Sequence, residues 1–328
     1  MKSRMEVFLR SSPGLWITLA VIALICLLPA LTNDAALREG LFTILLSITL
    51  ASSLNIILGY AGYISFGHVV FFGLGGYVGL YLINSYNLMI WLPLLAGGLA
   101  AGLLAFLLGK AILRLRGAYF ALATIGVNEA MRAFVSNFPP FGGSTGIALN
   151  FKVYQPYGGA TQALWLDYGI MVGLTLAAIL LSFAIKTSKF GLGLMSIRED
   201  EDAAEVLGVD TTNYKTWAYV LSAILPGMAG VLFYFKNSSI EPSDAFNLNS
   251  SIELLVMVML GGSGTVLGPV LGAAGYELLR GFLVMSRIFK NIQLTVSGVL
   301  LLLVILFIPT GAVGWLCKRF PALRKIVI

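Results

Sequence analysis

Long apolar runs dominate the chain, separated by short polar or glycine-rich stretches. A spanning helix needs roughly 20 mostly apolar residues. On that measure the pattern predicts spans at 15–31, 38–58, 65–83, 89–109, 117–136, 164–186, 214–236, 251–260, 265–285 and 291–309. The stretch 251–260 is short and reads as a half-helix or one arm of a re-entrant hairpin, so nine to ten spans are expected. The first run follows Lys2, Arg4 and Arg10, as the core of a signal peptide would. No small-x-small cleavage site follows it, and it reads as a retained anchor. The expected fold class is all-α: a polytopic integral membrane protein, some of its helices broken or re-entrant. It forms one transmembrane domain over 1–328, with one polar loop at 187–214 and another at 137–163.

Composition agrees and narrows the function. Hydrophobic residues make up 58% of the 328 and charged residues 11%, against about 25% charged in soluble domains. Too few charges exist to cover a soluble surface. Disorder, collagen and secreted disulfide scaffolds are excluded too. Cys26 and Cys317 lie in opposite terminal segments, and His68 is the one histidine, so no Cys/His metal cluster is available. The net charge of +6 needs no nucleic acid, because the positive-inside bias explains it. With the N-terminus inside, the inner segments hold Lys2, Arg4, Arg10, Lys110, Arg114, Arg116, Lys186, Lys189, Arg198, Lys215 and the 318–325 cluster. The outer ones hold Arg38, Arg132, Lys152, Lys236, Arg280, Arg287 and Lys290. The two-to-one bias puts both termini and the 187–214 loop in the cytoplasm.

Glycines four apart, at 75 and 79, 98 and 102, 169 and 173, and 268 and 272, let helix backbones approach closely or line a path. Two junctions also resemble each other: Leu58-Gly59 with Gly62, and Leu260-Gly261 with Gly264. Glycine-interrupted apolar segments at corresponding places in two halves point to a transport site near the midplane, or else are two tight turns. Gly59, Gly62, Ser65, His68, Gly261, Gly264 and Thr265 are therefore path candidates. His68 reads either as a pH switch or as a packed, hydrogen-bonded ring. Glu129 and Arg132, and Glu277 and Arg280, stand three apart within predicted spans. Each pair reads as an internal ion pair or as part of a path or gate.

The 187–214 loop is the most informative stretch. Six acids fall between Glu199 and Asp210. Ser196 with Glu199 has capping-box spacing, acids follow in the first turn, and Gly208 fits a stop, which predicts a short helix over about 197–207. An acidic helix suits a protein partner better than anionic lipid. The chain holds no phosphate-cradling G-x-x-x-x-G-K-[ST], no dinucleotide fingerprint and no nucleophile elbow. ATP-driven work would need another chain.

Asp202-Ala203-Ala204-x-x-x-Gly208 resembles the coupling motif of ATP-binding-cassette importer permeases. Together with Gly59-Tyr60-Ala61-Gly62, Ser65-Phe66-Gly67-His68, Leu115-Arg116-Gly117-Ala118-Tyr119, Arg198-Glu199-Asp200 and Gly268-Pro269-Val270-Leu271-Gly272, it makes the chain similar to the LivM-like permease subunits of bacterial branched-chain amino acid importers. The resemblance implies a non-enzymatic transport subunit in the bacterial inner membrane. Its partners would be two cytoplasmic ATPases that use ATP and Mg, a second LivH-like permease, and an external binding protein delivering aliphatic amino acids. Glu199, Asp200, Asp202, Ala203, Ala204 and Gly208 would couple to an ATPase, and 137–163 would receive the binding protein. Permeases of this type also carry urea, short amides and other small acids. A stand-alone channel or secondary transporter is the other class the residues leave open.

Overall fold

The computed structural model describes residues 13–285, 298–299 and 311–314. Most of the predicted span at 291–309, both termini, Arg287, Lys290 and Cys317 lie outside the described residues. Helix α1 runs Pro13–Thr32 and α2 Ala35–Asn55; a π-helical turn, Ile56–Tyr60, extends α2. Then come α3 (His68–Tyr86), α4 (Trp91–Ile112), α5 (Ala118–Ser136) and α6 (Ala160–Thr187). Two short helices follow, α7 (Lys189–Glu199) and α8 (Glu201–Val206). The remainder is α9 (Thr211–Asn237), α10 (Pro242–Ala245), α11 (Leu248–Gly261) and α12 (Leu267–Met285). The only sheet among the described residues is a two-residue ribbon. β1 (Ile147–Ala148) pairs antiparallel with β2 (Ser239–Ile240), tying the 137–163 loop to the end of α9.

Among the described residues, five helices are long and apolar enough to cross a membrane: Ala35–Tyr60, His68–Tyr86, Trp91–Ile112, Ala160–Thr187 and Thr211–Asn237. The protein is an all-α, multi-pass membrane protein. Helix α11 has 14 residues. At 1.5 Å per residue it reaches about 21 Å, short of the roughly 30 Å hydrocarbon layer, as either a half-helix or one arm of a re-entrant hairpin would be.

Helix α9 sits at the centre, packed on α3 and α4. Glycine makes this possible. A Cβ on Gly75 would lie 2.1 Å from the Gly227 carbonyl, and one on Gly227 2.7 Å from that of Gly97. Three backbones meet at this point, and the close approach is the source of packing energy between helices that share no hydrophobic drive in lipid. Gly268 and Gly272 likewise face backbone, whereas nothing lies near Gly169 and Gly173, which border an apolar groove of about 530 Å³ between α4, α6 and α9.

Helix α9 also contains Pro226, which has no N–H to give the Ser222 carbonyl four residues earlier. His68 supplies the missing bond. Its Nε2–H donates to the Ser222 oxygen at 2.9 Å, from a fully buried position at the start of α3. The histidine thus repairs the backbone that the proline opens.

Candidate functional site

The 187–214 segment folds as two helices, which corrects the single helix expected over 197–207. The break falls at Asp200, whose backbone is extended and whose Oδ1 accepts from the N–H groups of Asp202 and Ala203 at 3.0 Å each. Ser196 does not cap; its hydroxyl donates back to the Gly193 carbonyl inside α7. An aspartate at the position before Glu201 outcompetes the serine, because a carboxylate accepts two amides and favours the positive end of a helix. Gly208 ends the hairpin at φ +87°, as a stop residue should.

This helical hairpin rests on both glycine breaks. Arg198 Nη1 donates to the Gly59 carbonyl at 2.7 Å. A Cβ on Gly264 would fall 2.7 Å from the same nitrogen, and one on Gly62 3.0 Å from Arg198 Cγ. Gly62 and Gly264 both adopt positive φ, +78° and +77°, a region open to glycine without strain. The Arg198 side chain therefore lies across two glycines in matching conformations, its stem over Gly62 and its guanidinium over Gly264. Asn55 joins the breaks directly. Its Oδ1 accepts from Gly264 N and its Nδ2 donates to Thr265 O, both at 2.9 Å. Gly59 has to be glycine here, since a Cβ would collide with the Asn55 amide and the Gly264 nitrogen.

A second set of bonds fixes α8. Lys215 is buried at the start of α9. It donates to Glu201 Oε1 at 2.6 Å, to the Leu113 carbonyl at 2.9 Å and to Tyr63 Oη at 3.0 Å. Tyr63 Oη donates to Glu201 Oε2 at 2.5 Å. Burial, and next the Glu201 carboxylate beside it, push the Tyr63 phenol above its ordinary range, so it stays a donor. Arg116 pairs with Asp202 at 2.8 Å and with Glu201 at 3.5 Å. The hairpin is thereby bonded to the ends of α4 and α9 and to the turn between the π-helical turn and α3.

Both breaks stand at the end of the bundle that carries the hairpin rather than halfway along their helices: Tyr60 reaches Ser182, near the end of α6, at 2.8 Å. Ser65, His68, Gly59 and Gly261 are buried; Gly62 is exposed; Gly264 and Thr265 are half-buried. Thr265 Oγ1 bonds the Gly262 carbonyl and accepts from Gly268 N, closing the turn between α11 and α12. Of the acidic stretch, Glu199, Asp200, Asp202, Ala203 and Gly208 are exposed, whereas Ala204 is buried. Beyond them two apolar side chains project without cover, Val206 at 88% and Leu207 at 81% exposure.

Glu277 accepts from Ser47 Oγ at 2.7 Å and stands 3.7 Å from Arg280, which also approaches Glu253 at 3.6 Å. Glu129 and Arg132 pair at 2.6 Å on an open face of α5. No group of three or more possible metal ligands occurs among the described residues. Sequence reading missed Arg198, Lys215, Tyr63 and Asn55 as site residues. Lys215 was visible only as an inner-side charge and Arg198 as that and as part of the Arg198-Glu199-Asp200 motif, and nothing in the order of residues showed that Arg198 meets two segments some 200 positions apart.

Comparison with known proteins places the chain in a family. Residues 36–305 match the family described as branched-chain amino acid transport system / permease component. The high-affinity branched-chain amino acid transport system permease protein LivM of Escherichia coli is 30% identical over 80% of this chain and 67% of its own length. LivM of Salmonella typhimurium is 28% identical over the same shares. LivH of Salmonella typhimurium is 26% identical over 81% of this chain and 90% of its own. No solved structure matches. The profile match covers most of the helical bundle and both glycine breaks, so the chain belongs to the branched-chain amino acid transport permease family.

Proposed function

We propose that this chain is one permease subunit of an ATP-binding-cassette importer for aliphatic amino acids. It has no nucleotide site of its own, and hydrolysis of ATP with Mg falls to two cytoplasmic ATPase subunits. A second, LivH-like permease completes the membrane unit. An external binding protein delivers substrate to the 137–163 side in the bacterial inner membrane. The observation that carries the reading is the hairpin α7–α8, bonded through Arg198 to the first break and seated against the second. A displacement of the hairpin by a partner acts on both breaks at once. Ligand need only have different access in the two states.

The exposed Val206 and Leu207 serve as the knob that enters the ATPase groove, and Glu199, Asp200, Asp202 and Ala203 form its acidic rim. Ala204 anchors the hairpin from below. The test is replacement of Val206 and Leu207 together by Asp, at side chains that are 88% and 81% exposed. Copurified ATPase and amino acid uptake should both be lost, with unchanged yield and gel-filtration profile. Uptake at the wild-type rate in that variant would refute the docking assignment.

A further inference from the structure

Helix α5 has 19 residues but is not among the five apolar spans. Only Phe120, Thr124, Asn128 and Val135 are buried in the bundle. The opposite side leaves Leu122, Gly126, Glu129, Ala130, Arg132 and Ala133 exposed. On it, Arg132 Nη2 and Glu129 Oε2 are 2.6 Å apart, with side chains 49% and 50% exposed, and neither residue makes another ion pair among the described residues. The pair stands in the second half of α5, within the predicted 117–136 span; a charged side chain facing lipid there carries part of the roughly 2.5–3.5 kcal/mol that insertion scales give at the bilayer centre. Pairing lowers that cost without removing it, so hydrocarbon is a poor cover for this face. Water and a polar solute are good ones. The helix is also wired to the hairpin, since it starts at Ala118, next to Gly117 (φ +56°) and two residues after Arg116, which holds Asp202.

We propose that the Glu129–Arg132 pair is a binding site for the zwitterionic head of an α-amino acid on the wall of the translocation path. The inference rests on the importer reading above and adds the place where the substrate is met. A carboxylate and a guanidinium side by side present the two charges of a zwitterion in complementary order. The substrate ammonium takes Glu129 and the substrate carboxylate takes Arg132, which can grip it through two N–H groups. One ion pair is exchanged for two, and no charge is left unpaired. Leu122, Gly126 and Ala130 offer an apolar strip beside the pair for an aliphatic side chain. The site is open and shallow, which suits a step that the solute has to leave.

The test uses the full complex with Cys26 and Cys317 replaced by Ser. Ala130→Cys and Ala133→Cys are probed in vesicles with a membrane-impermeant methanethiosulfonate, a labelling that needs no ATPase. Both positions should label, and leucine should slow the labelling. A failed importer reading shows separately, as wild-type chain that recruits no ATPase. In transport, Glu129→Gln and Arg132→Gln should each raise the KM for leucine about tenfold, near the worth of one charge-assisted hydrogen bond. The double exchange Glu129→Arg with Arg132→Glu tests a purely structural pair, which it would restore. Cysteines that stay unlabelled in a transporting complex would overturn the site. So would single variants with unchanged KM, or loss of folded complex in the single variants that the exchange rescues.

Discussion

Lys215 is the strongest single test of the bonds that hold the hairpin. Its side chain is 3% exposed and that of Glu201 12%, so water screens their 2.6 Å pair poorly. Lys215→Met keeps the stem's volume and removes the charge. Glu201 then keeps Tyr63 and a 3.5 Å contact with Arg116, while the Leu113 carbonyl loses the ammonium donor. Removing one partner of a buried pair costs about 3–5 kcal/mol, most of it from the charge left behind. The remaining Tyr63 bond places the expected loss near the lower figure, about 3 kcal/mol. Glu201→Gln in the Lys215→Met background removes the stranded charge, and the double variant should recover roughly half of the loss. The assay is thermal unfolding of the purified complex, with protease nicking of the 199–208 hairpin as a local readout. Strictly additive losses from the two single variants would refute the account, because a bonded pair has to show coupling.

Further outcomes follow from individual contacts. His68→Ala should cost about 1–3 kcal/mol by leaving the Ser222 carbonyl without a donor, in addition to the lost volume. That cost should shrink in a Pro226→Ala background, where residue 226 regains its N–H; an equal cost in both backgrounds would discount the repair, and thermal unfolding decides. Gly59→Ala should displace Asn55 and separate the two breaks, lowering uptake far more than Gly275→Ala, which has open space around it. Gly75→Val drives a side chain into the Gly227 backbone and should abolish folded protein, as judged by gel filtration.

Much of the fold was legible because the signals are local. Apolar runs placed the centres of the long described helices and of α11, and the shortness of 251–260 announced that α11 is too short to span, whether as a half-helix or as one arm of a re-entrant hairpin. Gly208 marked the hairpin's end correctly because a positive φ is a single-residue demand. The start of that hairpin was misread for the same reason: Ser196 and Asp200 both satisfy cap statistics, and only the pull of Glu201 toward Lys215 and Tyr63 shows which one caps. The likeness of the two glycine breaks was visible, but their contact was not. Asn55 reaches Gly264 and Thr265 across more than 200 residues, and Arg198 reaches both breaks from a third place. Such meetings depend on how helices stack, which no periodicity encodes. The role of His68 was equally hidden, since it depends on a proline in another helix.

The claim that the hairpin drives the two breaks through Arg198 is tested most directly by Arg198→Ala in reconstituted complex, with ATP hydrolysis and leucine uptake measured in the same vesicles. The variant leaves Val206, Leu207 and the Lys215 bonds in place, so the ATPases still dock and turn over. The account predicts continued hydrolysis with uptake reduced at least about tenfold, a split between work done and solute moved. Uptake that stays in proportion to hydrolysis would contradict it, and would assign transmission to contacts other than the guanidinium between the two glycine breaks.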